Sequence, residues 1–278
     1  MTTLAPQTTP QPTDEDAAMP PRADCVADSV GGLTFDMTEP VDSGDAHLVL
    51  RHRDGRQEVR LPLAPAAGGR PRAVLPSGVE LPEGRWDVYV QTAGGEPQRL
   101  SPGLNDLRSL VDRVPSGSDS QVAVRIPYAT KHGNLSVRGW LRAPHAEAGE
   151  LHIGEDGLGV QGQVYGVELT PDAYVELACR EEAGPVPRAE VHRDRGAGFR
   201  FAVDCTALPE GVWELWLRPA GESGPRVRIA RLLDDIADKK PIFMYPKITL
   251  ETDHGPVTAG PHYTGDNDLS ITVTATTT

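Results

Sequence analysis

The chain is poor in cysteine and in aromatic residues, and it has no long apolar run. Its three cysteines, Cys25, Cys179 and Cys205, are an odd number without C-x-x-C spacing. That argues against a disulfide framework and against a zinc site. No stretch approaches the roughly 18 apolar residues that a helix needs to span a bilayer, so no transmembrane segment is expected. Met1–Cys25 has neither a basic n-region nor an apolar h-region. No secretory leader is therefore expected, and the simplest location is the cytoplasm. Gly-x-Ser-x-Gly, the phosphate-cradling Gly-x-x-x-x-Gly-Lys, a dinucleotide fingerprint after a strand and His-Glu-x-x-His are all missing. Positive charge is also short: 27 Lys and Arg stand against 40 Asp and Glu, a formal charge of −13. The average field repels nucleic-acid backbones and anionic membranes, so neither is an expected partner.

Glycine and proline, by contrast, are plentiful, at 29 and 26 of 278 residues. Long helices tolerate little of either, which excludes a helical bundle. The length suits two domains of ordinary size, and 38% hydrophobic residues are enough to build cores. Residues 1–28 are rich in Thr, Pro, Gln and acid and are expected to form a disordered tail.

The most informative feature is an internal duplication. Leu81-Pro82-Glu83-Gly84-Arg85-Trp86 recurs as Leu208-Pro209-Glu210-Gly211-Val212-Trp213, an offset of 127. The same offset pairs Asp45–Arg51 with Asp172–Ala178 and Arg53 with Arg180. After a two-residue slip, Leu104-Asn105-Asp106-Leu107 matches Leu233-Asp234-Asp235-Ile236. Further on, Tyr128 and Asn134-Leu135-Ser136-Val137 match Tyr263 and Asp268-Leu269-Ser270-Ile271. Ordered landmarks of this kind mark a tandem of related modules. Within each, apolar residues alternate with period two, and turns such as Asp54-Gly55 and Glu83-Gly84 separate the runs. The fold expected is all-β: two tandem, related antiparallel β-sandwich modules of immunoglobulin-like type, at 29–142 and 147–276. Each is expected to carry one short helix. In the first module Ser101 is a good N-cap, Pro102 suits the first helical position, and Leu104, Leu107, Leu110 and Val111 form a stripe. Its counterpart spans about 229–239. Pro115–Ser120 reads as a surface loop.

Period two also sorts the side chains by face. Trp86 and Trp213 fall on the core face. Tyr89 and Trp216 fall on the charged face, where either the short helix covers them or they form a stacking platform for a sugar ring. Trp140 has no aromatic counterpart. It belongs either to the module interface or to a binding patch with Arg142 and His145. Arg51-His52-Arg53 is a basic spot in an acidic chain, either the solvent end of a hairpin or a grip for an anionic polymer. His145, Glu147 and His152 resemble a metal cluster only loosely, with no third ligand in evidence. Asp266-Asn267-Asp268 with Asp253 offers oxygen ligands, but lacks the glycine and distal glutamate of a calcium loop and reads better as a turn. No cofactor and no metal are expected.

Three runs also carry a resemblance: Leu81–Trp86 with its repeat, Arg231-Leu-Leu-Asp-Asp235, and His262-Tyr-Thr-Gly-Asp-Asn-Asp-Leu-Ser270. Over about 29–275 the chain resembles actinomycete all-β proteins labelled as transferases. It is also similar to the immunoglobulin-like β modules appended to glycosyltransferases and glycerophosphotransferases of wall-polymer synthesis. The resemblance implies a non-catalytic binding or scaffolding accessory, with a glycopolymer or an envelope glycosyltransferase as partner. It carries over no catalytic residue. Candidate binding residues are Tyr89, Trp140, Trp216, Arg51 and Arg53, with aromatics on sugar faces and arginines forking to phosphate or carboxylate. Two alternatives stand beside this. One is a protein–protein module joined through strand edges. The other is a transferase-type enzyme with its site at the module interface, drawing on His145, Glu147, Asp266 and Asp268.

Overall fold

The computed structural model describes residues 20–41, 45–111, 113–115, 121–154, 157–181, 186–252 and 255–276. Most of the expected tail, most of the expected loop at 115–120, and Asp253 lie outside them. In the first half the strands are β1 (Arg22–Ala27), β2 (Leu33–Met37), β3 (His47–His52), β4 (Glu58–Pro62), β5 (Ala64–Pro65), β6 (Pro71–Leu75), β7 (Gly84–Gln91), β8 (Gln98–Arg99), β9 (Ser101–Asp106), β10 (Val122–Ala129) and β11 (Leu135–Arg142). One sheet runs β5-β6-β2-β1-β9, and the other runs β10-β11-β7-β3-β4 with β8 beside β7. The second half contributes β12 (His145–Gly154), β13 (Gly157–Tyr165), β14 (Tyr174–Cys179), β15 (Arg188–Glu190), β16 (His192–Arg193), β17 (Gly198–Val203), β18 (Gly211–Arg218), β19 (Val227–Ala230), β20 (Ile248–Thr252), β21 (Gly255–Tyr263) and β22 (Leu269–Ala275).

The second half repeats the first strand for strand. β16-β17-β13-β12-β19 answers β5-β6-β2-β1-β9, and β15-β14-β18-β22-β21 answers β4-β3-β7-β11-β10. β1 pairs with β9 in parallel, and β12 pairs with β19 in parallel. β19 also pairs with β18, which joins the second half's strands into one continuous sheet. Among the described residues β20 has no first-half counterpart.

The repeated Leu-Pro-Glu-Gly run has one physical purpose in both halves. The Trp86 indole N–H donates to the Pro82 carbonyl at 3.1 Å, and that of Trp213 donates to Pro209 at 3.0 Å. Gly84 and Gly211 both have φ of 150°. A Cβ at Gly84 would run into the His52 ring, and one at Gly211 would press on Cys179 Sγ. Trp86, Val88 and Val90 then point into one core, and Trp213, Leu215 and Leu217 into another, as the alternation predicts.

The two cores are separate but not independent. The first gathers Phe35, Leu48, Leu50, Trp86, Val137 and Trp140, and it also takes in Ala230 from the end of β19 and Leu232 just beyond it. The second gathers Phe199, Leu215, Ile229, Tyr263 and Ile271. Burial of a side chain the size of Leu232 is worth roughly 1.5–3 kcal/mol, so the chain beyond β19 helps to hold the halves together.

Three expectations need correction. The first short helix is absent: Ser101–Asp106 is a strand, followed by a single 3-10 turn at Arg108–Leu110. Its counterpart is a strand up to Ala230 and then irregular chain. Nor is the tail disordered to residue 28, because Arg22–Ala27 is a strand with Ala23, Cys25 and Ala27 in the core. Finally, register sets Ala129 opposite Leu135 and Tyr263 opposite Leu269. Tyr263 therefore corresponds to Ala129, not to Tyr128.

Candidate functional site

On each half the strand that carries the core tryptophan presents an aromatic residue to its outer face. Tyr89 lies on β7 between β3 and β8, with the Arg51 guanidinium 5.1 Å and that of Arg99 5.0 Å from its ring centroid. Trp216 on β18 has Arg226 at 4.2 Å and Arg228 at 5.3 Å. Arginines, not a helix, cover both rings. Such contacts contribute roughly 0.5–2 kcal/mol each, depending on exposure.

The polar surroundings are duplicated as well. Asp87 accepts from Arg53 at 3.0 Å and from the Ser136 hydroxyl at 2.9 Å, and it pairs with Arg99 at 3.2 Å. In the second half Glu214 takes the place of Asp87 and pairs with Arg180 at 3.0 Å. Arg99 Nη2 donates to Ser136 Oγ at 3.3 Å, and Arg228 Nη2 donates to Ser270 Oγ at 2.9 Å. Glu176, directly opposite Trp216, holds Arg218 at 2.8 Å and Arg226 at 2.7 Å. Burial alone would raise its carboxyl. The two guanidiniums override that and hold it below the usual glutamate value.

The halves differ in what lies beside the aromatic. Next to Tyr89 is a cleft of about 320 Å³ lined by Arg51, Arg53, Arg56, Glu58 and Asp87. Arg51 is tied to Glu58 at 2.7 Å, and that bond, the largest influence, keeps the Glu58 carboxyl below its ordinary value. The backbone N–H of Arg56 donates to Asp54 at 3.0 Å, while its exposed guanidinium forms no ion pair among the described residues. Three expected binding residues, Arg51, Arg53 and Tyr89, therefore meet in one place. Trp216 lies on the other half. Trp140 is buried at 1% exposure, under the Arg138 guanidinium, with its indole N–H donating to the Asp266 carbonyl at 3.2 Å. Its place is at the contact between halves.

The residues of the enzyme alternative all have protein partners. His145 is fully buried, with Nε2 2.7 Å from Glu147 Oε2. Glu147 also accepts the backbone N–H groups of Leu232 and Leu233 at 2.9 Å, which pins the segment that enters the first core. Asp266 pairs with Arg138, and Asp268 pairs with Arg142 at 2.8 Å. Arg142 also grips Glu83 at 2.8 Å. Burial opposes the Arg142 charge, but Glu83 and Asp268 hold its pKa above the ordinary arginine value. Burial raises the Asp268 carboxyl despite Arg142 and Arg228. Asp266–Asp268 lies in a turn closed by Asn267 N–H to the Thr264 carbonyl at 3.0 Å. Among the described residues no three His, Cys, Asp or Glu side chains are grouped to hold a metal, and no helix is long and apolar enough to cross a membrane.

Arg56, Arg99, Arg226, Arg228 and Glu176 were not legible as site residues from local patterns. One signal was available. The two-residue slip that aligns Leu104 with Leu233 also aligns Arg99 with Arg228.

No family model and no curated protein matches the chain. Among solved structures, S. aureus TarS is similar at 14% identity and a TM-score of 0.30, over 66% of this chain and 35% of that one. The chain thus spans about a third of TarS. The tetra-tandem repeat in the extending region of a large adhesion protein is similar at 12% identity and a TM-score of 0.23, over 91% of this chain and 87% of that one. The chicken CNTN1 FN1-FN3 domains are similar at 8% identity and a TM-score of 0.21, over 75% of this chain and 64% of that one.

Proposed function

We propose that the chain is a non-catalytic binding and scaffolding accessory of cell-envelope glycopolymer synthesis, made of two modules divided near 143–146 and acting at the cytoplasmic side. The observation that carries this is the cleft in which Arg51, Arg53, Arg56 and Tyr89 meet. An anionic group of the polymer would fork to Arg56, whose guanidinium has no ion pair among the described residues, and compete with Glu58 for Arg51. Displacing Arg51 uncovers one face of Tyr89 for a sugar or polyol unit. An envelope glycosyltransferase is the proposed protein partner.

The test is a calorimetric titration of the purified chain with a polyol-phosphate wall polymer, a neutral polysaccharide and free nucleotide sugars. Saturable binding of the charged polymer is expected, weakened about tenfold by Arg56→Gln and by Tyr89→Ala and unchanged by Trp216→Ala. Equal binding of the neutral polysaccharide, or no response to any of the three, overturns the reading.

A further inference from the structure

The two outer sheets differ at one matched row of side chains. In the first half, β2, β6 and β5 place Asp36, Arg72 and Ala64 side by side in direct register. Arg72 forks to Asp36 there, with Nε to Oδ1 at 2.6 Å and Nη2 to Oδ2 at 2.9 Å. The matching strands β13, β17 and β16 place Gln161, Arg200 and His192 in the same register. The carboxylate has become an amide, and the alanine has become a histidine.

Arg200 thus lacks the partner that its counterpart has. Its remaining ion pair is with Asp194 at 3.2 Å, between side chains that are 59% and 41% exposed. Exposed pairs of that kind are weak and easily exchanged. His192 stands directly opposite Arg200, an arrangement that opposes charges of like sign whenever the imidazole is protonated. Arg193, next along, donates to the Leu169 carbonyl at 3.2 Å and forms no ion pair among the described residues. The Gln161 amide lies 3.3 Å from His152 Nε2, which extends the polar row on to β12. Clefts of about 900 Å³ and 180 Å³ flank the row, and both are lined by His192 and Arg200. Nearby acids are few: Glu168 and Asp194 line the larger cleft, and Glu150 stands 3.7 Å from His152.

We infer that the Gln161–Arg200–His192 row is an oxyanion site. It takes a phosphate or carboxylate group in the fork of Arg200, in the position that Asp36 fills for Arg72. The Gln161 amide and the His192 ring supply flanking donors. This site is on the other half from the Arg51–Tyr89 cleft and does not depend on what that cleft binds.

The test uses the full chain, labelled with nitrogen-15 and titrated at fixed ionic strength with inorganic phosphate, with acetate, and with chloride as control. The backbone amides of Gln161, His192 and Arg200 are expected to shift saturably with phosphate or acetate, while those of Asp36, Arg72 and Ala64 stay still. A response to phosphate alone supports a phosphoryl ligand, and a response to both supports oxyanions in general. Arg200→Gln is expected to weaken the response about tenfold. Gln161→Asp, which restores the first half's carboxylate, is expected to do the same without loss of thermal stability. An unchanged response in Gln161→Asp, or equal shifts with chloride, overturns the proposal. The Arg56→Gln variant leaves this response intact, so failure here is distinguishable from failure at the Tyr89 cleft.

Discussion

Two turns with the same backbone do different jobs in the two halves. Between β10 and β11, the Thr130 N–H donates to the Asn134 carbonyl at 2.8 Å, and Gly133 to Thr130 at 2.9 Å. Between β21 and β22, Thr264 donates to Asp268 at 2.9 Å, and Asn267 to Thr264 at 3.0 Å. The left-handed residue is Gly133 at φ 73° in one and Asn267 at φ 62° in the other. The first turn is exposed around Gly133. The second is a plug. Asn267 is fully buried, its Oδ1 accepting from Lys239 N–H at 3.0 Å and its Nδ2 donating to the Ala237 carbonyl at 3.3 Å. Asp266 and Asp268 reach Arg138, Trp140 and Arg142 on the first half. The two turns share a backbone, and a few side chains decide whether it faces water or joins two cores.

That contrast can be broken by substitution. The largest effect is expected at Trp140→Ala, which removes a core side chain and leaves the Asp266 carbonyl without its donor. Denaturant unfolding should show a loss of about 3–5 kcal/mol. Next comes Asp268→Ala, which strips Arg142 and Arg228 of a partly buried partner and should cost about 2–3 kcal/mol. The matched change Asn134→Ala should cost less than about 0.5 kcal/mol. Equal losses at the two positions would mean that the turns are not differently employed. Asn267→Ala should cost about 2 kcal/mol, from positive φ and from buried bonds left unmade, against about 1 kcal/mol for Gly133→Ala.

The smallest effect is a pH dependence. The folded carboxyl of Glu176 lies below its ordinary value of 4.5, so its ion pairs stabilise the fold fully above that value. They are lost as pH falls through the depressed folded value. Thermal melts from neutral pH down to about pH 3 should therefore fall less steeply for Glu176→Gln than for the unchanged chain. An identical acid limb would show that Arg218 and Arg226 do not hold the Glu176 carboxyl below its ordinary value.

Much of the architecture was legible because its signals are local or repeated. Trp86-Val88-Val90 and Trp213-Leu215-Leu217 declare a core face by alternation alone. The helix at Ser101–Val111 failed for a traceable reason. Ser101, Pro102 and the leucine spacing do fit a helix, but Ser101 N–H donates to the Pro21 carbonyl at 2.8 Å and Leu104 N–H to Asp24 at 2.8 Å. The partner strand Arg22–Ala27 adjoins the tail rich in Thr, Pro, Gln and acid, so the sequence shows this segment no neighbour. Parallel pairing across nearly eighty residues leaves no mark in either strand's own pattern. The arginine covers over Tyr89 and Trp216 are hidden likewise, since Arg99 and Arg228 arrive from adjacent strands and Arg226 from the chain just before β19.

The burial of Ala230 and Leu232 in the first core also has a consequence in time. Translation releases the N-terminal half first, yet that half is sealed by chain made much later. At about 5–20 residues per second, the ribosome needs roughly 5 to 20 s to pass from Arg142 to Leu232. Through that interval the nascent first half carries an open apolar seam. The first half cannot close its core until most of the second half has been made.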